Sequence, residues 1–294
     1  MEVDLEFKQA IEKLPKISSF LQDKIVKIKR LDSIWRKENL ILKLDSKDDS
    51  YVLKVISGSG ELDEIDRVKL LKKQYPNLFT DIFIYENNSY LMAYVPGKNF
   101  FELDAKDRLD KVSLCGRRLV QEWSAHTDKF KSKDIAEEIN SSFTRYRTKR
   151  AKFFSPDELL SVDLSAFSKV PSLPSHNDLN CANVLYNGCV TLIDPSGEGY
   201  EDTARDVGRY FASVFFNNYD RYGNDKISSM AIAEAFLSNF NDETLARARY
   251  YIGESFLSFL NFPTVSAPKE VLKKLTLNVL TNNKPLKSCL EASL

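Results

Sequence analysis

Histidine is nearly absent from this chain, at 2 residues in 294, and the 4 cysteines form no paired spacing. His126 and His176 are too few for a zinc centre, which draws on several Cys and His ligands. Cys115, Cys181, Cys189 and Cys289 contain no CxxC pair, so reduced thiols in a cytoplasmic protein are expected. Missing as well is any apolar run approaching the roughly 18 residues of a membrane-spanning helix. Residues 1–16 alternate charged and apolar side chains and lack the apolar centre of a secretory signal. Nor is there a net charge, since 42 Lys and Arg cancel 42 Asp and Glu. A neutral chain offers no whole-molecule attraction to nucleic acid or to a membrane surface, and neither is expected as a partner. What is present is an ordinary globular composition, 43% hydrophobic and 29% charged, in a length that suits one large domain or two lobes.

Hydrophobic patterning divides the chain. Ile25–Leu31, Asn39–Leu44, Tyr51–Ile56, Ile82–Tyr85 and Tyr90–Val95 are rich in Val, Ile, Leu, Phe and Tyr, and several alternate with polar residues. These runs predict strands. Glu6–Leu21 predicts one amphipathic helix, and Glu61–Gln74 a second, with Leu62, Ile65, Val68 and Leu71 on one side. After Pro96-Gly97 the pattern turns helical: Asp104–His126, Ala136–Phe153 and Asp157–Phe167, then Ala204–Tyr219, Asp225–Phe240, Asp242–Phe262 and Lys269–Leu280. A short strand pair, Val184–Tyr186 and Val190–Asp194, interrupts them and turns at Asn187-Gly188. The expected class is α+β: an antiparallel five-stranded lobe with one inserted helix over residues 1–95, and a larger helical lobe over 96–294.

The densest chemical signal is Ser175-His-Asn-Asp-Leu-Asn-Cys-Ala-Asn-Val-Leu185, followed by Thr191-Leu-Ile-Asp194. Asp178, then Asn183, then Asp194 at the end of an apolar run, make an acid, an amide and a second acid. Phosphoryl transfer from a magnesium nucleotide calls for such a set. One carboxylate orients the attacking hydroxyl, while an amide oxygen and a second carboxylate hold the metal on the phosphates. Pro195 is expected to push Asp194 towards an extended conformation at the strand end. Lys54 stands in the apolar run Tyr51-Val-Leu-Lys-Val-Ile56, and a lysine buried there is costly unless paired with an acid.

His176-Asn177-Asp178-Leu179 with Asn183 and Ile193-Asp194-Pro195 resembles the catalytic core of the kinase-like superfamily, and most closely its aminoglycoside phosphotransferase and choline-kinase-like branch. The resemblance is specific over Leu173–Phe211 and extends to Tyr51–Gly97. It implies a two-lobed protein-kinase-like fold, ATP or GTP with Mg2+ as cofactors, and a small hydroxylated acceptor such as an aminoglycoside, an amino-alcohol or a sugar. Asp178 would be the catalytic aspartate, with Asn183 and Asp194 as metal ligands. Lys54 would reach the α- and β-phosphates and pair with an acid on the next helix, Glu64 in first place, with Glu61 and Asp66 as alternatives. In Leu91-Met-Ala-Tyr-Val-Pro-Gly97, Met92 would be the gatekeeper, and the backbone of Ala93 and Val95 would meet the base edge. Asp206 would brace the catalytic loop, as would His176. Between the first two strands, Leu31–Asn39 contains no glycine. That excludes a GxGxxG loop and a P-loop, and leaves Ser33 as the candidate phosphate contact.

Two other readings stand beside the small-molecule kinase. A protein kinase would need a long activation segment ending in Ala-Pro-Glu, whereas only residues 195–203 lie between Asp194 and the next expected helix. A catalytically silent binding module would not need Asp178, Asn183 and Asp194 together. The basic run Arg145–Lys152 reads as a solvated helix face. The aromatics between Tyr210 and Phe259 read as core more readily than as a cage for a quaternary ammonium.

Overall fold

The strand-forming runs of the first third pair as a single antiparallel sheet. β1 (Lys27–Arg30), β2 (Leu40–Asp45), β3 (Ser50–Val55), β4 (Ile82–Glu86) and β5 (Ser89–Ala93) lie in the order β1-β2-β3-β5-β4. The expected strands are all there, each end within two residues of its expected place. The structure, a computed structural model, describes residues 2–22, 24–31, 39–56, 62–126, 132–149, 153–154, 163–196, 202–221, 225–260, 269–282 and 284–294. It divides into two compact units, Met1–Gly97 with Asn187–Gly199, and Lys98–Tyr186 with Tyr200–Leu294.

In the first unit both faces of the sheet are covered. Successive strand residues point to opposite faces, so β3 sends Leu53 one way and Lys54 the other. Leu53 joins Leu42, Leu44 and Leu91 in a core closed by Leu14, Ile17 and Leu21. Those last residues belong to the segment expected as one helix, Glu6–Leu21. It is in fact two, α1 (Glu2–Ile11) and α2 (Pro15–Leu21). The cause is Pro15, which has no N–H to donate and whose ring would clash with a preceding carbonyl, so it starts a helix instead of continuing one. The exposed amides at the start of α2 are met by the Glu86 carboxylate, which accepts from Lys16 N at 2.9 Å and Ile17 N at 3.0 Å. On the opposite face α3 (Leu62–Gln74) lays Ile65 against Ile56 and Tyr90, with Ile82, Tyr85 and Met92 around them.

The second unit is helical: α4 (Ala105–Ser124), α5 (Ala136–Lys149), α6 (Thr203–Arg221), α7 (Lys226–Leu237), α8 (Asp242–Phe259), α9 (Lys269–Thr281) and α10 (Leu286–Ser293). The last of these was not expected. β6 (Ser132–Lys133) pairs with β7 (Val170–Pro171), also unexpected, and β8 (Val184–Tyr186) leads into the Asn187-Gly188 turn. β9 (Val190–Leu192), in the first unit, ends two residues earlier than expected. Of the segment expected as a helix over Asp157–Phe167, the described part holds only a 3-10 turn at Ser165–Phe167.

α6 packs against both α7 and α8 and is largely buried. Val207, Tyr210, Phe211, Val214 and Phe215 are all fully buried. Phe236, Tyr250, Tyr251 and Phe256 complete an edge-to-face and tilted aromatic core. The aromatics of this half are therefore core, with Phe259 half-buried at its margin. Close approach of α6 to α8 requires Gly208. A Cβ there would lie 2.6 Å from Tyr251 Cβ and 2.7 Å from the Ala248 carbonyl oxygen. Backbone cannot yield as a flexible side chain can, so Gly208→Ala should destabilise the protein by about 2–3 kcal/mol through overpacking. A fall of several degrees in thermal unfolding is the expected reading. An unchanged melting temperature would show that the two helices can part without cost.

Candidate functional site

Strand register assembles the first group of site residues. Lys54 on β3 stands directly across from Tyr90 on β5, and Val52 across from Met92. The side chains of Lys54 and Tyr90 therefore share the face covered by α3, where Glu64 waits. Lys54 Nζ lies 2.6 Å from Glu64 Oε1, and the Tyr90 hydroxyl donates to the same oxygen at 2.9 Å. All three are buried. Leu192 N, at the end of β9, donates to the Leu78 carbonyl at 2.7 Å, which ties that strand to the first unit. Two residues on, Asp194 Oδ1 comes within 2.6 Å of Lys54 Nζ. One ammonium is thus held between two carboxylates. Burial alone would push the Lys54 pKa down, but Asp194 and Glu64 outweigh it and hold it above its ordinary value, so the cation persists.

Asp194 is not extended. Its φ is +57°, in the left-handed region that costs most residues energy and that Asp enters more readily than most. The local restriction imposed by Pro195 on the residue before it yields here, and the Asp194 carboxylate reaches Lys54. This φ is one of three positive values at non-glycine residues among the described ones, the others being Asn87 and Asn177.

The segment after β5 presents backbone. Ala93 N is committed to the Asp81 carbonyl at 2.9 Å, and Thr80 Oγ1 approaches the Ala93 carbonyl at 3.4 Å. The Val95 carbonyl accepts from Gly97 N at 2.8 Å. The Ala93 carbonyl and the Val95 N–H are a backbone acceptor and a backbone donor two residues apart. Met92 is half-buried beside Tyr90 and Ile65. Ser33 and Glu61 lie outside the described residues, and Asp66 is an exposed partner of Lys69 at 3.3 Å.

The second group stands on α6. Asp206 is buried near the start of that helix, and its two oxygens accept from His176 N at 2.7 Å and Asn177 N at 2.8 Å. Those bonds hold Asn177 at a φ of +63°. Asp178 follows, half exposed. Its carbonyl accepts the side-chain amides of Asn180 at 3.2 Å and Asn183 at 2.9 Å, which closes the loop on itself. Cys181 N is tied to Ser213 Oγ on α6 at 2.8 Å. The Asn183 amide nitrogen is thus committed to the loop. An amide oxygen here and a carboxylate at Asp194 are hard ligands of the type magnesium takes.

Some members of these groups were not visible in sequence. Tyr90 is one, because only register puts it opposite Lys54. Arg209 is another: its Nη1 donates to the Asn177 carbonyl at 2.5 Å and lies 3.3 Å from Asp178 Oδ1. Its one sequence signal is its place three residues after Asp206 on a helix, and so near the face Asp206 occupies.

No protein-family profile and no curated protein sequence matches the chain. Solved structures do. A choline kinase from Cryptosporidium parvum Iowa II is 12% identical with a TM-score of 0.54, over 87% of this chain and 88% of that one. A glucosamine kinase in complex with glucosamine, ADP and inorganic phosphate is 13% identical with a TM-score of 0.53, over 83% and 77%. An amicoumacin kinase in complex with AMP-PNP, Ca2+ and Ami is 13% identical with a TM-score of 0.50, over 98% and 95%. At these identities the likeness is one of fold, and the fold is the kinase-like α+β fold of the small-molecule kinases.

Asp206 generates a pH prediction. Burial raises its carboxyl from 3.8 to about 7, even though the His176 and Asn177 amides favour its charged form. Between those values the folded chain binds a proton that the unfolded chain releases. The contribution of this group to stability is therefore full below about pH 4 and is lost as pH rises through about 7. Asp206→Asn should flatten that part of the fall in urea midpoint measured from about pH 5 to about pH 8. An identical pH dependence in the variant and the native chain would refute it.

Proposed function

We propose that this protein is a small-molecule kinase that transfers the γ-phosphoryl group of ATP to a hydroxyl of a small acceptor. The observation that carries the reading is the buried Lys54 ammonium clamped between Glu64 and Asp194. Asp194 belongs to the same acid–amide–acid set as Asp178 and Asn183, on a fold shared with solved choline, glucosamine and amicoumacin kinases. A lysine kept charged by two acids has no evident structural need to be a lysine. As a donor to phosphate oxygens its cost is explained.

Each residue then has a task. Lys54 donates to the α- and β-phosphates, and Glu64, held by Tyr90, keeps it aimed. Ala93 accepts from, and Val95 donates to, the edge of the base; this acceptor–donor order suits adenine better than guanine, so ATP is preferred over GTP. Met92 flanks the base. Ser33 is retained as the phosphate contact from the glycine-free segment. Asn183 and Asp194 would hold Mg2+, which would supply neutralisation of charge building on the phosphate oxygens. Asp178 orients the acceptor hydroxyl for in-line attack and takes its proton as the bond to the γ-phosphorus forms and the bond to the β-phosphate oxygen breaks. The acceptor class is the one named by the structural neighbours: amino-alcohols, amino sugars and related antibiotics.

The peptide platform of a protein kinase has little room, since α6 begins at Thr203 and only residues 195–202 precede it after Asp194. No helix among the described residues is long and apolar enough to cross a membrane. The four cysteines are free thiols, which fits a reducing cytoplasmic setting.

The test is direct. Purified protein is given ATP or GTP with Mg2+ against a panel of amino-alcohols, amino sugars and aminoglycosides, and phosphorylated product is read by mass spectrometry. Asp194→Ala should lower turnover by roughly 10³-fold or more, because metal-borne charge stabilisation amounts to several kcal/mol. Its melting temperature should stay near that of the native chain, since Lys54 keeps Glu64. Near-native turnover in this variant would sink the assignment.

A further inference from the structure

We infer that Arg209 is the positioning residue of the catalytic loop: it grips the peptide between Asn177 and Asp178 and the Asp178 carboxylate together, and so sets where that carboxylate points. The inference rests on the role proposed above for Asp178. It starts from the planarity of the peptide bond. The Asn177 carbonyl lies in the same rigid plane as the Asp178 nitrogen and Cα, so whatever fixes that carbonyl fixes the axis about which the Asp178 side chain turns, and a direct contact with the carboxylate restrains the turn itself. Arg209 Nη1 reaches the carbonyl at 2.5 Å and Asp178 Oδ1 at 3.3 Å. Asp206, one helical turn earlier, holds the N–H groups of His176 and Asn177 from the other side. The Asn177 residue, at a φ of +63°, is therefore held at its N–H by the Asp206 carboxyl group and at its carbonyl by the Arg209 guanidinium, both from α6. Arg205 adds a donor to Asn177 Oδ1 at 3.3 Å.

The support behind Arg209 is stiff. Gly208, its neighbour, lets α6 press directly on the backbone of α8. Glu254 on α8 is buried, with Arg209 and Arg205 as the cations that act on it. The guanidinium thus contacts the Asp178 carboxylate and also acts electrostatically on Glu254. An immobile cation beside Asp178 suits a residue that orients a hydroxyl more than one that must be a strong base. That fits a loose phosphoryl-transfer transition state, in which little proton abstraction is needed early. A plainer possibility is that Arg209 merely neutralises Glu254. The two differ in what happens to the reaction when the charge is kept and the fork is lost.

The experiment compares Arg209→Gln, Arg209→Lys, Asp178→Asn and Arg209→Gln with Asp178→Asn combined, using the acceptor found in the panel. Arg209→Gln should lower kcat by about 10²-fold, the scale of a misplacement of about 1 Å, with the KM for ATP unchanged. Arg209→Lys should lose less. On top of Asp178→Asn, Arg209→Gln should cost nothing further, because it acts through that carboxylate. A native kcat in Arg209→Gln overturns the inference, as does a raised KM for ATP at unchanged kcat, or the same fold-loss repeated in the Asp178→Asn background. If the glutamine variant does not fold, Arg209→Lys decides: a lowered kcat at unchanged KM and melting temperature supports the inference, and a native kcat overturns it. Native turnover surviving Asp178→Asn, or no transfer to any acceptor, sinks the reading of Asp178 and this inference with it. Failure at Arg209 alone leaves that reading intact.

Discussion

A charged ammonium inside a protein is tolerated only when carboxylates surround it, and the first unit of this protein is organised around one such charge. Lys54 cannot face the leucine core on the other side of its strand, so β3 divides the unit into a leucine-rich face under α1 and α2 and a face under α3 where its ion pair sits beside the apolar cluster of Ile56, Ile65 and Tyr90. Three groups on that second face answer to Lys54. Glu64 must come from α3, Tyr90 must stand across the strand to hold Glu64, and β9 must be tied to Leu78 so that Asp194 arrives. Remove the ammonium and two buried or half-buried acids would be left facing each other. A mutual dependence of this kind explains why Asp194 accepts a left-handed backbone.

The second unit solves a different problem with the same means. A tight loop that carries Asp178 has few bonds of its own, and its peptide groups need partners. α6 supplies them at one-turn intervals: Arg205, Asp206 and Arg209 towards the loop, and Ser213 a turn further on towards Cys181. The other side of the same helix is apolar and locked into the aromatic core by Tyr210, Phe211 and Phe215. Rigidity at the loop thus comes from packing behind it. The cost falls on Gly208, where no side chain fits, and on the buried acids Asp202, Asp206 and Glu254, all of which burial pushes above the ordinary carboxylate range.

Much of this was legible in the chain. Strands showed because alternating apolar residues mark a sheet with covered faces. The long helices showed because their buried stripes recur at helical spacing, whereas the amphipathic pattern over Glu6–Leu21 runs unbroken across Pro15, where the helix divides. Asp178, Asn183 and Asp194 stood out as candidates because two acids and an amide, the residue types phosphoryl chemistry uses, recur there within a short stretch. Tyr90 and Arg209 did not. A tyrosine in a strand and an arginine in a helix are common, and nothing local tells which partner each will meet.

The sequence by itself determined which residues could be paired: an acid–amide–acid loop, a lysine in an apolar strand, a helix with an acid on its buried side, and an aromatic-rich half able to build a core. Composition and spacing are enough for that, because burial and charge are properties of residue types. Only the tertiary structure decided who pairs with whom. Glu64 and not Asp66 meets Lys54, Tyr90 secures Glu64, Asp194 turns left-handed against the preference of its proline, and Arg209 takes hold of Asp178. Those choices depend on strand register and helix rotation, which are set by the whole core and cannot be read one residue at a time.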